Sequence, residues 1–223
     1  MGDLAYRTSV QILRGLILPF VRLSIWRAGE TEPAGGAVIV SNHISHFDPP
    51  LLAFAFSRCI DFMTTSEFYE NRIARAWLNA VNTFPVDRFR LDRHTLHLGR
   101  ERLRAGRLVG VFPDGGIRAG SGSILEDAPI KRGAVALAQV GHAPIIPCVV
   151  IGSDRMYAHR RWIPGSRTPA WVAIGPTLQP DGAELETRLS HAMRGLYRAA
   201  IDHFKLAPDD LPAAPAHRKG RDR

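Results

Sequence analysis

His43 and Asp48, five residues apart in Asn42-His43-Ile44-Ser45-His46-Phe47-Asp48, are the side chains of this chain whose types and spacing suit proton transfer. An imidazole titrates near neutral pH, and a carboxylate on its second ring nitrogen fixes the tautomer and stabilises the imidazolium. Such a pair can serve as a general base and its orienting partner. A general base of this kind needs no cofactor. Ser45 then reads as a loop hydrogen-bonder rather than an acyl carrier. Spacing alone leaves a second reading open, a helix-capping aspartate beside a loop histidine.

The elements that must position the pair are legible on either side of it. Val38 to Val40 are β-branched and apolar, as in a buried strand. Asp48 before Pro49 predicts an N-cap followed by a proline in the first turn of a helix through Leu51 to Phe56. His43 therefore falls in a strand-to-helix loop, where α/β proteins place their chemistry. Further along, strands are expected over 60–64, 83–86, 108–112, 145–151 and 171–174, and helices over 72–81, 93–105, 132–140 and 185–204. Strands alternating with helices give an α/β fold, a mostly buried mixed sheet flanked by helices.

At 223 residues and 45% apolar composition the chain is long enough for one sizeable domain and too short for two. Its net charge of +8 is unevenly spread, because Arg88, Arg90, Arg93, Arg100, Arg102, Arg104 and Arg107 face only Asp87, Asp92 and Glu101 in one stretch. That patch calls for an anionic partner such as a phosphate, a coenzyme or a lipid headgroup. Nucleic acid fits poorly, since the arginines are not interleaved with stacking aromatics. Cys59 and Cys148 lie in apolar contexts and read as buried thiols of a reducing compartment.

No secretory signal and no spanning run of roughly 20 apolar residues is visible. Residues 1–28 instead read as an amphipathic helix lying on an anionic membrane surface. Arg7, Gln11, Arg14 and Arg22 share one side of it, Pro19 kinks it, and Trp26 stands near its end. Residues 29–206 form the α/β domain, and 207–223 a disordered basic tail. The location expected is the cytoplasmic face of the cell membrane, peripheral or monotopic.

Three more stretches follow the His43 segment in a recognisable order: Thr83-Phe84-Pro85-Val86-Asp87-Arg88, then Val111-Phe112-Pro113-Asp114-Gly115-Gly116-Ile117-Arg118, then Ala143-Pro144-Ile145-Ile146-Pro147-Cys148. With the His-x4-Asp segment, the set resembles the glycerolipid acyltransferase family that includes 1-acylglycerol-3-phosphate O-acyltransferase. The resemblance implies that His43 is the general base and Asp48 its orienter. It implies that Arg88, Asp114, Gly115, Gly116 and Arg118 bind the acceptor's phosphate, and that the Ile145 strand and the start of the Leu51 helix border the acyl chain. The implied partners are acyl-CoA or acyl-carrier protein and a lysophospholipid, 1-acylglycerol-3-phosphate foremost.

The third block departs from the family pattern Phe-Pro-Glu-Gly-Thr-Arg. Asp114 replaces glutamate, Gly116 replaces threonine, and Ile117 moves the arginine one place along. Another acceptor, such as a lyso-ornithine lipid, is the alternative that this departure raises. Lys131-Arg132-Gly133, ahead of a helix, reads either as solvated or as a contact to coenzyme phosphates. His43, His46 and Asp48 also admit a zinc hydrolase, although that motif wants His-x-His-x-Asp-His and this chain has Pro49 in the last place. A noncatalytic protein that binds anionic membranes is the remaining alternative.

Overall fold

The computed structural model describes residues 3–29, 32–86, 93–126, 128–157, 167–182 and 184–212. Seven strands form one sheet in the order β1-β7-β6-β2-β5-β3-β4, with β1 Val21–Arg27, β2 Ala37–Ser41, β3 Ile60–Thr65, β4 Phe84–Val86, β5 Leu108–Val111, β6 Ile145–Ile151 and β7 Thr168–Ile174. Strands β2 to β6 all run the same way, β7 runs against β6, and β1 is parallel to β7. The sheet is therefore mixed, and the carboxyl ends of its five co-directional strands lie along one edge.

Helices cover both faces, as buried central strands require. Val38 and Val40 of β2 face a core closed by α4 (Arg93–Arg104), α5 (Gly133–Gly141) and α6 (Leu185–Phe204). Ala37 and Ile39 face the other side, closed by α1 (Asp3–Ile17) and α2 (Asp48–Ala55). Strand alternation thus splits one apolar run between two cores. Helix α3 (Arg72–Ala80) joins β3 to β4 at the margin of the second face.

The amino-terminal segment differs from the single helix over 1–28 that the apolar pattern predicts. Helix α1 stops at Ile17, and after Pro19 the chain becomes β1, paired along its length with β7. Proline ends the helix, and Val21, Leu23 and Ile25 alternate with Arg22, Ser24 and Trp26 in the two-residue period of a strand. Trp26 accordingly stacks on His203 of α6, with ring centroids 4.3 Å apart, rather than marking a membrane surface. Among the described residues no helix is long and apolar enough to cross a membrane.

At the other end, residues 207–212 are ordered on the domain, with Asp210 paired to Arg155 at 3.0 Å; residues 213–223 lie outside the described residues. Cys59 and Cys148 are buried free thiols, as expected.

Part of the arginine-rich stretch also has an internal purpose. Asp61 of β3 is fully buried, and both of its oxygens are taken by Arg107, through Nε at 2.6 Å and Nη2 at 2.7 Å, while Arg102 donates to Oδ2. Arg107 continues to Asp3 of α1 at 3.0 Å. These two cations neutralise a buried carboxylate, which would be prohibitive unpaired. They are not available to an external anion.

Candidate active site

Strand β2 carries the chain to the site and a side chain ends its ladder. Ser41 is the last residue of β2 paired with β6, opposite Cys148. Beyond it the Asn42 side chain substitutes for backbone: Nδ2 donates to the Val150 carbonyl at 2.9 Å and Oδ1 accepts from the Val150 N–H at 2.8 Å. The amide holds β6 while the main chain turns away at His43. Asn42 is fully buried, so Asn42→Leu would strand two backbone groups. Urea unfolding should show a loss of about 3 kcal/mol.

The His43 and Asp48 side chains meet as their spacing predicts. His43 Nδ1 lies 2.9 Å from Asp48 Oδ2, and the carboxylate is completely buried beneath a partly exposed ring. Oδ2 also accepts from the Ile44 and Ser45 N–H groups at 2.7 and 2.8 Å, and Oδ1 accepts from the Ser153 hydroxyl. A carboxylate that receives these donors can only accept from Nδ1–H as well. The Nε2 lone pair is thereby left for a substrate proton. Asp48 is not the N-cap that Pro49 implies. Phe47 occupies that position, Asp48 is the first helical residue, and its carboxylate turns back onto the preceding loop.

Aromatic packing fixes the ring from the side. Phe112 stacks on His43 with centroids 4.3 Å apart, and Phe62 stacks on Phe112 at 5.8 Å. Gly110 makes room for this pile, since a Cβ there would come within 2.4 Å of the Phe62 ring.

The third block folds across the histidine loop. Asp114 Oδ2 accepts from the His43 N–H at 2.9 Å, Oδ1 accepts from the Ile124 N–H at 3.0 Å, and the Arg118 N–H donates to the His43 carbonyl at 2.7 Å. Asp114 is thus a brace for the histidine backbone, and the Arg118 side chain is exposed beside it. Gly115 adopts φ +71°, and a Cβ on it would collide with the Lys131 side chain 2.1 Å away. The Lys131 ammonium therefore reaches the loop, which sequence left open. Arg88 lies outside the described residues. All seven residues of β6 are buried in the two cores, so Ile145 to Ile151 present no open wall to an acyl chain. His46 is engaged by Tyr157, whose hydroxyl lies 2.7 Å from Nδ1 and accepts from the His46 N–H at 2.8 Å.

Burial pushes the Asp114 carboxyl up to about 6 against the opposing pull of the Ile124 and His43 amides. A carboxyl whose pKa is raised on folding stabilises the fold below its unfolded value, near 4, and that contribution disappears as pH rises through about 6. The stability of the wild type relative to Asp114→Asn should therefore increase by about 2–3 kcal/mol between pH 7 and pH 4. Denaturant titrations of both proteins across that range would show it, and a flat difference would contradict it.

Ser153, Phe112 and the Asn42 amide are site residues that spacing did not mark. Ser153 follows β6 directly, 105 positions from Asp48 in sequence, and only the β2–β6 pairing brings the two together.

Known proteins with similar sequences place the chain among its relatives. The profile of the family described as Acyltransferase matches residues 26–151. The chain is 34% identical over 125 residues to the 1-acyl-sn-glycerol-3-phosphate acyltransferase of Bacillus subtilis (strain 168), covering 55% of this chain and 60% of that one. It is 28% identical over 130 residues to the probable 1-acyl-sn-glycerol-3-phosphate acyltransferase of Mycoplasma pneumoniae, covering 56% of this chain and 47% of that one. The matched stretch thus spans about half the length of these relatives. Among solved structures, the Thermotoga maritima 1-acyl-sn-glycerophosphate (LPA) acyltransferase, PlsC, superposes with a TM-score of 0.67 at 18% identity, over 90% of this chain and 80% of that one. That likeness shows a shared fold.

Proposed function

Because this chain belongs to the acyltransferase family, we propose that it transfers a fatty acyl group from acyl-CoA or acyl-carrier protein to the free hydroxyl of a lysophospholipid, foremost 1-acyl-sn-glycerol-3-phosphate. The observation that carries the reading is the His43 Nδ1 to Asp48 contact of 2.9 Å, with the carboxylate held by three further donors. His43 Nε2 takes the acceptor's hydroxyl proton as the oxygen attacks the thioester carbon. The C–S bond breaks, and the imidazolium returns the proton to the departing thiolate. Asp48 offsets the transient charge on the ring. Functional names carried by relatives of which only about half is matched support this activity without fixing the acceptor.

The acceptor's phosphate is assigned to Gly115 and Gly116, with Arg118, Lys131 and Arg88 as the cationic groups. Glycine lets an anion approach backbone N–H groups closely, and the arginines supply forked donors. Asp114 belongs to the loop's own bracing rather than to substrate, because both of its oxygens are committed to backbone amides. Membrane association at the cytoplasmic face is part of the same proposal, since both product and acceptor are lipids.

Purified protein assayed against a panel of lysolipids with acyl-CoA and acyl-carrier-protein donors tests the reading. Turnover highest with 1-acyl-sn-glycerol-3-phosphate is the expected result. Turnover confined to an amino-linked lysolipid would move the proposal to the alternative acceptor that the altered third block raises.

A further inference from the structure

Helix α3 presents its apolar side away from the protein. Its one buried residue is Leu78. At about 100° per residue, Ile73, Ala76 and Ala80 fall on the far side of the helix from Leu78, and Trp77 borders that stripe at about 100° from Leu78. Ile73 is 83% exposed and Trp77 51% exposed. A helix that packs on a core buries its apolar stripe; this one offers it to solvent. Its first turn is well formed, with the Asn71 side chain accepting from the Ile73 and Ala74 N–H groups at 2.9 and 3.1 Å. Arg72 and Arg75 are exposed along one flank, and α3 carries no acid. The short turn Ser66–Tyr69 just before it exposes Phe68 as well.

Position adds to composition. That turn leaves the sheet at the carboxyl end of β3, which runs parallel to β2 through β5, so Phe68 and the start of α3 lie on the edge where His43 follows β2. Helix α1 belongs to the same face: Tyr6 packs with Ala53, Cys59 and Val81, and Asn82 reaches Asp3 at 3.4 Å. It exposes Leu4, Ile12 and Leu16. Two neighbouring helices therefore turn apolar side chains outward on one side of the molecule.

We propose that α3, with Phe68, is a membrane-contact surface, seating Ile73 and Trp77 in the interface of an anionic leaflet with Arg72 and Arg75 against its headgroups. A short amphipathic helix with a basic flank and an interfacial tryptophan binds lipid in this manner. The choice of a bilayer over a protein partner rests on the acyl-transfer reading, because a lipid acceptor must reach His43 from a leaflet. The surface places the catalytic edge toward that leaflet.

Co-sedimentation with phosphatidylcholine vesicles, with and without phosphatidylglycerol, tests the surface on the full chain. Ile73→Ser with Trp77→Ser should weaken partitioning about tenfold on the anionic vesicles while the thermal melt stays that of the wild type. Arg72→Gln with Arg75→Gln should weaken it only where phosphatidylglycerol is present, and salt should abolish the difference. In acyl-transfer assays both variants should retain wild-type turnover on a lysolipid dispersed below its micellar concentration and lose it on the same lysolipid held in vesicles. Vesicle binding is read without turnover, so an inactive protein would sink the acyl-transfer reading and leave the surface to be judged by partitioning. Unchanged vesicle binding by Ile73→Ser with Trp77→Ser would overturn the proposal. So would conversion of a dimer to a monomer by that variant with vesicle binding intact, because the stripe would then be covered by a second copy.

Discussion

His43→Ala should lower acyl transfer by about 10³-fold while leaving the melting transition near that of the wild type. The ring is partly exposed and its removal leaves Asp48 with the Ile44, Ser45 and Ser153 donors, so the carboxylate stays paired. The backbone of residue 43 also stays anchored, by Asp114 on its N–H and by the Arg118 N–H on its carbonyl. What vanishes is the base itself. Acceptor binding should be little affected, so the loss falls on kcat with KM for the lysolipid nearly unchanged. A variant that lost activity and stability together would argue instead for a structural histidine.

The two substitutions of Asp48 should separate charge from scaffolding. Asn at 48 can keep its carbonyl oxygen where Oδ2 accepts from His43, Ile44 and Ser45. Its amide nitrogen then faces Ser153, whose hydroxyl accepts in place of donating. The loop survives and the negative charge is gone, so the rate should fall about 10²- to 10⁴-fold with stability almost unchanged. Ala at 48 leaves two buried N–H groups without acceptors and should also cost about 3 kcal/mol of stability. Rates and urea midpoints for the pair measure both effects. Equal destabilisation by the two changes would mean that Asn cannot adopt this arrangement.

The contact between His43 and Asp48 was readable in advance because its signal is local. A strand, a loop and a helix start lie within Val38 to Phe56, and the loop itself sets the separation of His43 and Asp48. The same holds for the long elements: α6 runs Leu185–Phe204 as its periodicity predicts, and β6 runs Ile145–Ile151. What escaped depends on contacts remote in sequence. Asp48 meets Ser153 and Asn42 meets Val150 only after β6 has paired with β2. Arg102 and Arg107 read as surface charge because Asp61, a single acid in an apolar strand, gives no sign of their use. The N-terminal error had another origin. Apolar residues on both sides of Pro19 match helix and strand periods equally well, and partnership with β7 settles the second half as β1.

The role of the third block changes most once its geometry is known. Asp114 looked like part of an anion loop, yet it ties the histidine backbone to Ile124, and burial raises its pKa to about 6. A shorter acid at this place therefore acts on the position of His43. Under the proposed acyl-transfer reading, discrimination among acceptors is assigned to Gly115, Gly116 and the cations around them, Arg118 and Lys131.

The central claim, general-base acyl transfer to a lysolipid by His43, is tested most directly by one assay. Labelled acyl donor and 1-acyl-sn-glycerol-3-phosphate are given to the wild type and to His43→Ala, and labelled phosphatidic acid is quantified. The account predicts steady phosphatidic acid formation by the wild type and a loss of about 10³-fold in the folded variant. Equal product from the two proteins would contradict it.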